Sequence, residues 1–193
     1  MSQSMDILPR TFYERDTVLV AQDLLGKILV RKINNQILSG MIIETEAYKF
    51  GDPACHACKN ITERNKGLFG EVGRAYVYFT YGNHYCLNAV ARDLNTRSGG
   101  ILIRAIKPIE GIEFMIANRR IQNLKTLTNG PGKLAQALQI NNAQYGIDLT
   151  KEGELYITEG IKVKPEDIIA TPRIGITKAT ENLWRFILKM PDY

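Results

Sequence analysis

The order in which strand-like segments follow one another constrains the fold of this chain more than any single motif in it. "KILVRKI" and "SGMIIETEAY" mix branched apolar residues with polar ones, and Asn34-Asn35 lies between them, a pair suited to a tight hairpin turn. "AYVYFT" and "HYCLN" follow around Gly82-Asn83, then the apolar run "GGILIRAIKP", and later the shorter "ELYIT", "RIGIT" and "WRFILK". Helical segments are interspersed among these strands. Asp16 can cap a short helix through Leu25, because its carboxylate accepts from the first free amides, and Gly26 supplies the left-handed residue that ends it. A second helix is predicted from about Ile109 to Ile121. Gly130-Pro131-Gly132 opens a third, "KLAQALQI", since proline is tolerated where the first-turn amides have no helical partner. Hairpin-ordered strands with helices between them, rather than strict alternation, predict an α+β domain on a mainly antiparallel sheet. Residues 50–74 lack periodicity and read as a long loop, a feature that is often functional in compact domains.

With 193 residues, of which 45% are apolar, the chain can fill the core of one domain spanning residues 1–193 and is not a disordered protein. The net charge of +5 favours an anionic partner. "MSQSMDILPRTFYERD" lacks the apolar run of a signal peptide, and no stretch approaches the roughly 18 apolar residues of a membrane helix, so a cytoplasmic protein is expected. The 3 cysteines, an odd number, fit free thiols in a reducing compartment.

Tyr76, Tyr78, Tyr81 and Tyr85 crowd one hairpin, whose Gly82-Asn83 suits the centre of a type II′ turn. On an extended strand Tyr76, Tyr78 and Thr80 share one face and Val77, Phe79 and Tyr81 the other. Val77 and Phe79 mark the core side, which leaves Tyr76 and Tyr78 to a surface or cleft. Tyrosines suit half-buried strands in general. The sharper reading is that one ring stacks on a ligand base while another acts as a wedge, since such stacking is worth roughly 1–3 kcal/mol per base.

"MIIETEAY" places Ile42, Glu44, Glu46 and Tyr48 on one strand face, with the two carboxylates about 7 Å apart. A carboxylate poised on an apolar-flanked strand can serve as a general base, whereas a solvated edge strand would simply carry both charges in water. Arg104 alternates with Leu102 and Ile106, so a strand aims its guanidinium along an otherwise apolar face; either it is buried and needs an anion, which Glu44 or Glu46 could supply, or it reaches solvent along its own stem. Cys55-x-x-Cys58 with His84-x-Cys86 offers ligand types that suit zinc. The second pair flanks a tight turn instead of bracketing a loop, and no metal is expected. Taken alone, His56 and His84 read as surface or hydrogen-bonded structural histidines.

"ETEAY" with "GDPACHA", "RN" at Arg64-Asn65, "YVYFTYG", "YCLN", "LIRAIKP", "GPGKL" and "PRIGI" occur in an order that resembles the alkyladenine (3-methyladenine) DNA glycosylases of the mammalian type, which also occur in bacteria. The resemblance runs from about Pro9 to Leu188. It implies a curved, mainly antiparallel sheet with surrounding helices and a protruding β-hairpin, acting as a monomer on double-stranded DNA that contains a damaged purine. The implied activity is hydrolysis of the N-glycosidic bond of a flipped-out alkylated or deaminated purine, with no cofactor. By the same resemblance Glu46 is the general base, a choice over Glu44 that the residues alone do not make. Arg104 and the main-chain carbonyl of Ile174 would help hold its water. Tyr48, His56 and Tyr78 would form the base pocket, and Asn88 would reject guanine. Tyr81 would fill the gap in the base stack, beside Asn83, where the family commonly has Met. Cys55 and Cys58 flank His56 where smaller or hydroxylated residues are usual. Lys133, at the start of the "GPGK" helix, could hold a DNA phosphate or be plainly solvated. A non-enzymatic nucleic-acid-binding module and a zinc-binding interaction domain are the rival classes.

Overall fold

The computed structural model describes residues 6–55, 60–80 and 82–190. Its framework is an eight-stranded sheet whose main path runs β3-β4-β5-β2-β1-β6. In chain order these strands are β1 (Ile28–Ile33), β2 (Gln36–Lys49), β3 (Ala75–Thr80), β4 (His84–Val90), β5 (Gly99–Glu110) and β6 (Leu155–Thr158). Two more, β7 (Ile168–Thr171) and β8 (Arg185–Leu188), pair with each other, and β8 docks on β2 beyond the point where β1 leaves it. All the pairings are antiparallel. The fold is therefore α+β, one curved sheet with helices α1 (Arg10–Tyr13), α2 (Thr17–Asp23), α3 (Ile112–Arg119) and α4 (Pro131–Ala137) around it.

Local chemistry explains most of these boundaries. The Asp16 carboxylate accepts from the amides of Val18 (2.9 Å) and Leu19 (3.2 Å), so α2 begins where the sequence places its cap, and Gly26 (φ +82°) ends it. Asn34 (φ 45°) and Asn35 (φ 65°) both take positive φ, the requirement of the type I′ turn that joins twisted strands. α2 lies against β2, where the buried Thr45 hydroxyl donates to Ala21 O at 2.7 Å. Since alternate strand residues point to opposite faces, Thr45 facing α2 turns Glu44 and Glu46 the other way. The core beneath α2 and α4 is aliphatic, with Leu24, Leu29, Leu38, Ile101, Ile103 and Leu134 all fully enclosed.

Four sequence expectations are corrected. "RIGIT" is a turn, not a strand: Pro172 has no amide for a ladder, and the Ile174 amide bonds a side chain instead. The helix expected from about Ile109 starts at Ile112, because β5 continues to Glu110 and Gly111 (φ +72°) makes the change of direction. In the tyrosine hairpin Thr80 pairs with His84, and the Asn83 amide donates to Thr80 O at 3.3 Å. Gly82 (φ +71°) is thus the third residue of the turn, one place later than a type II′ turn puts its glycine. Finally, Phe79, expected on the core side, is 48% exposed and packs on Tyr85, whereas Tyr76 and Tyr78 line a cavity, as the cleft reading has it, with Tyr76 packed between Tyr78 and Tyr145.

Burial pushes the Asp16 carboxyl up, but the Lys49 ammonium at 3.0 Å and the two capped amides outweigh it and hold the group below its ordinary value. Asp16→Ala should cost about 1 kcal/mol, read as a drop of about 2–4 °C in Tm. A carboxyl lowered on folding stabilises above its unfolded pKa. The gap between wild type and variant should therefore be full above about pH 4 and close as pH falls through the folded value.

Candidate active site

The floor of the site is one row of the sheet. Across β3, β4, β5, β2 and β8 the register aligns Tyr76 with Asn88, Asn88 with Leu102, Leu102 with Glu46 and Glu46 with Arg185. Cross-strand neighbours share a face, so residues far apart in sequence meet side by side. Two of the three irregularities between β2 and β5 complete the arrangement. The register slips between Ile42 and Glu44, so Ile42 joins the core, and again between Glu44 and Thr45. Glu44 pairs with Ala105 and Thr45 with Ile103, leaving Arg104 without a ladder partner and re-aiming its side chain.

Arg104 reaches both carboxylates. Its Nε donates to Glu44 Oε1 at 2.7 Å, and its Nη1 lies 3.2 Å from Glu46 Oε2. Arg185 Nε also donates to Glu44 Oε1, at 2.6 Å. Glu46 has no exposed surface, and three donors converge on it: the Arg104 guanidinium, the Tyr48 hydroxyl on Oε2 at 2.7 Å, and the Ile174 amide on Oε1 at 2.7 Å. The resemblance points to the Ile174 carbonyl; the main-chain group on the carboxylate is its N–H. Burial, then the Glu46 charge, pushes the Tyr48 hydroxyl well above its ordinary value, so it donates as a neutral phenol. Burial alone would lower Arg104, but Glu46 and Glu44 raise it and keep it a cation.

Above this floor opens a cavity of about 410 Å³, within the roughly 300–1,000 Å³ of small-molecule sites. The Tyr48 and Tyr78 rings, Asn88, the Pro53–Cys55 rim and the Ile174–Lys178 turn line it. The Tyr78 ring stacks on Tyr76 (5.5 Å between centroids), and its hydroxyl, raised by burial, is hydrogen-bonded to Cys86. Burial also pushes the Cys86 thiol up. Tyr76, raised to about 12 mainly by burial, donates to Arg64 O at 3.0 Å. Asn88 is 5% exposed and donates through Nδ2 to Tyr76 O at 3.1 Å, which fixes its amide against the cavity.

Asp52 and Arg173 also belong to the site, although the sequence motifs that contain them assign them no role. Both side chains are fully enclosed: Arg173 Nη2 meets Asp52 Oδ1 at 3.0 Å, Nη1 meets Oδ2 at 2.5 Å, and Nη1 donates to Ala47 O at 2.9 Å. The guanidinium is sandwiched between the rings of Tyr48 (4.7 Å) and Trp184 (5.1 Å). Opposite charges set among Gly, Pro and Ala in "GDPA" and "TPRIG" are the sequence signal that could have flagged them.

Lys133 does not line the cavity; its ammonium donates to Asn129 Oδ1 at 2.8 Å. Asn83 is exposed at the hairpin end. His56, Cys58 and Tyr81 lie outside the described residues. Among the described residues no group of three or more His, Cys, Asp and Glu is placed to hold a metal. No helix among them is long and apolar enough to cross a membrane.

An enclosed carboxylate thus lies under an aromatic cavity on this antiparallel α+β frame, and comparison with known proteins places the chain in a family. The chain belongs to the methylpurine-DNA glycosylase family, whose profile matches residues 11–191. It is 48% identical to a protein of Carboxydothermus hydrogenoformans over 97% of both chains. It is also 48% identical to one of Prosthecochloris aestuarii, over 91% of this chain and 85% of the other. A protein of Francisella tularensis is 47% identical over 90% of each. Each of the three is named as a candidate 3-methyladenine DNA glycosylase. Family membership makes this chain a DNA glycosylase.

Glu44 is the only acidic partner of Arg185 among the described residues. Glu44→Ala should therefore destabilise the fold by roughly 2–4 kcal/mol in urea melts, with Glu44→Gln, which keeps an acceptor, losing less.

Proposed function

We propose that the cavity receives a damaged purine flipped out of duplex DNA, and that Glu46 activates the water that hydrolyses its N-glycosidic bond. The observation that carries this reading is the placement of a wholly enclosed carboxylate at the floor of an aromatic cavity. A carboxylate offers about four acceptor sites, so the three donors on Glu46 fix both oxygens and leave a site for one water. The bond breaks through an oxocarbenium-like state, in which a nearby carboxylate both takes the water proton and favours the growing positive charge.

The tyrosines fit the same reading. Tyr48 and Tyr78 present ring faces to a purine, and His56, carried over from the family resemblance, would contact its edge. Asn88, held by its bond to Tyr76 O, would oppose the exocyclic amine of guanine. Flipping costs a few kcal/mol of stacking and pairing, less for a damaged base, and a ring inserted by Tyr81 beside Asn83 would offset part of that loss. Lys133 would contact the DNA backbone. The enzyme would work as a monomer in the cytoplasm. N-alkylated purines already carry charge and leave readily, and the names of the relatives make 3-methyladenine the first lesion to test; 7-methylguanine, ethenoadenine and hypoxanthine complete the class.

Glu46→Gln should bind a hypoxanthine or 3-methyladenine duplex with a Kd within about threefold of wild type. Its single-turnover base release should be slower by roughly 10²–10⁴-fold. Equal release by the two proteins would reject the role of Glu46, and loss of binding together with release would point to a structural carboxylate.

A further inference from the structure

We infer that Arg173, paired with Asp52, is a positioning residue that sets the orientation of Glu46; this rests on the reading of Glu46 given above. Arg173 immediately precedes Ile174, whose amide donates to Glu46 Oε1 at 2.7 Å. The turn that carries this amide has no ladder bonds to fix it, since Arg173–Thr177 belong to no strand. What anchors it is the Arg173 side chain, which runs back into the protein and is held on four sides: by both Asp52 oxygens, by Ala47 O, and by the Tyr48 and Trp184 rings.

Each of those anchors bears on the site. Ala47 is the residue after Glu46, and its own amide donates to Trp184 O at 2.9 Å, so the Arg173 fork grips the strand beside the carboxylate. Tyr48, one face of which meets the guanidinium, gives Glu46 its hydroxyl donor and lines the cavity. Asp52 accepts from the Ala54 amide at 3.0 Å and so ties in the Pro53–Cys55 rim. One buried guanidinium thereby fixes two of the three donors on Glu46 and one edge of the base pocket. Burial would lower Arg173, but the Asp52 pair raises it and keeps the charge.

A fork of two parallel N–H bonds and a stacked planar cation are properties of arginine that lysine lacks. Arg173→Lys keeps the charge and loses both. The expected result is a folded protein that binds a hypoxanthine duplex with a Kd within about threefold of wild type, yet releases the base roughly 10- to 100-fold more slowly in single turnover, since a small misplacement at a reacting centre costs rates of that order. Unchanged release overturns the inference, as does a parallel loss of binding and release that follows the loss of folded protein. Should Arg173→Lys fail to fold, Asp52→Asn, which keeps one acceptor for the fork, carries the same test. Failure of both to fold also overturns it, because the pair then serves the whole fold. Glu46→Gln measured alongside separates the two readings: if it releases base at the wild-type rate, the base assignment falls, whereas if it is slow and Arg173→Lys is not, only the positioning role falls.

Discussion

A carboxylate without exposed surface must have its charge answered within a few ångströms, and in this protein the answer organises everything around it. An unpaired buried ion costs several kcal/mol. Glu46 avoids that cost through donors from three separate parts of the chain: Arg104 on β5, Tyr48 on β2, and the Ile174 amide on the late turn. Arg104 in turn requires Glu44, and Glu44 holds Arg185 of β8. The arginines and glutamates thus form one chain of alternating charge laid across the sheet, and the cavity opens where that chain ends in Glu46.

The same constraint explains the irregularities of the sheet. A regular β2–β5 ladder would give Arg104 a cross-strand neighbour and a fixed direction. The paired register slips free it to bridge both carboxylates. Likewise Arg173–Thr177, with a branched apolar residue on either side of a glycine, resemble a strand, but a strand would engage the Ile174 amide in a ladder and take it from Glu46. In both places local backbone preference yields to the need to satisfy a buried charge.

The fold class, the β1–β2 hairpin, the capped α2 and the Pro131 start of α4 are legible in the sequence, because each is set by residues within a few positions of one another. Glu44, Glu46 and Arg104 are legible as candidates for the same reason: the two-residue period of a strand puts them on one face. The choice of Glu46 over Glu44 is not, because it depends on a tyrosine hydroxyl and a distant amide. Asp52 and Arg173, separated by most of the chain, carry only the weak local signal of a charge set among turn residues, and it is the docking of β8 and the turn before it that brings them together. Phe79 misleads because alternation gives the two faces of a strand but not how far the covering layer extends.

The row Tyr76, Asn88, Leu102, Glu46 and Arg185 draws one residue from each of five strands, the last of them the final strand of the sheet. A fragment ending before β8 therefore lacks the last member of the row. During synthesis the acidic residue emerges early but waits for β8 before its charge network closes. The strand made last is thus the one that finishes this face of the sheet, and a chain shortened before Arg185 would leave Glu44 with Arg104 as its sole cationic partner among the described residues.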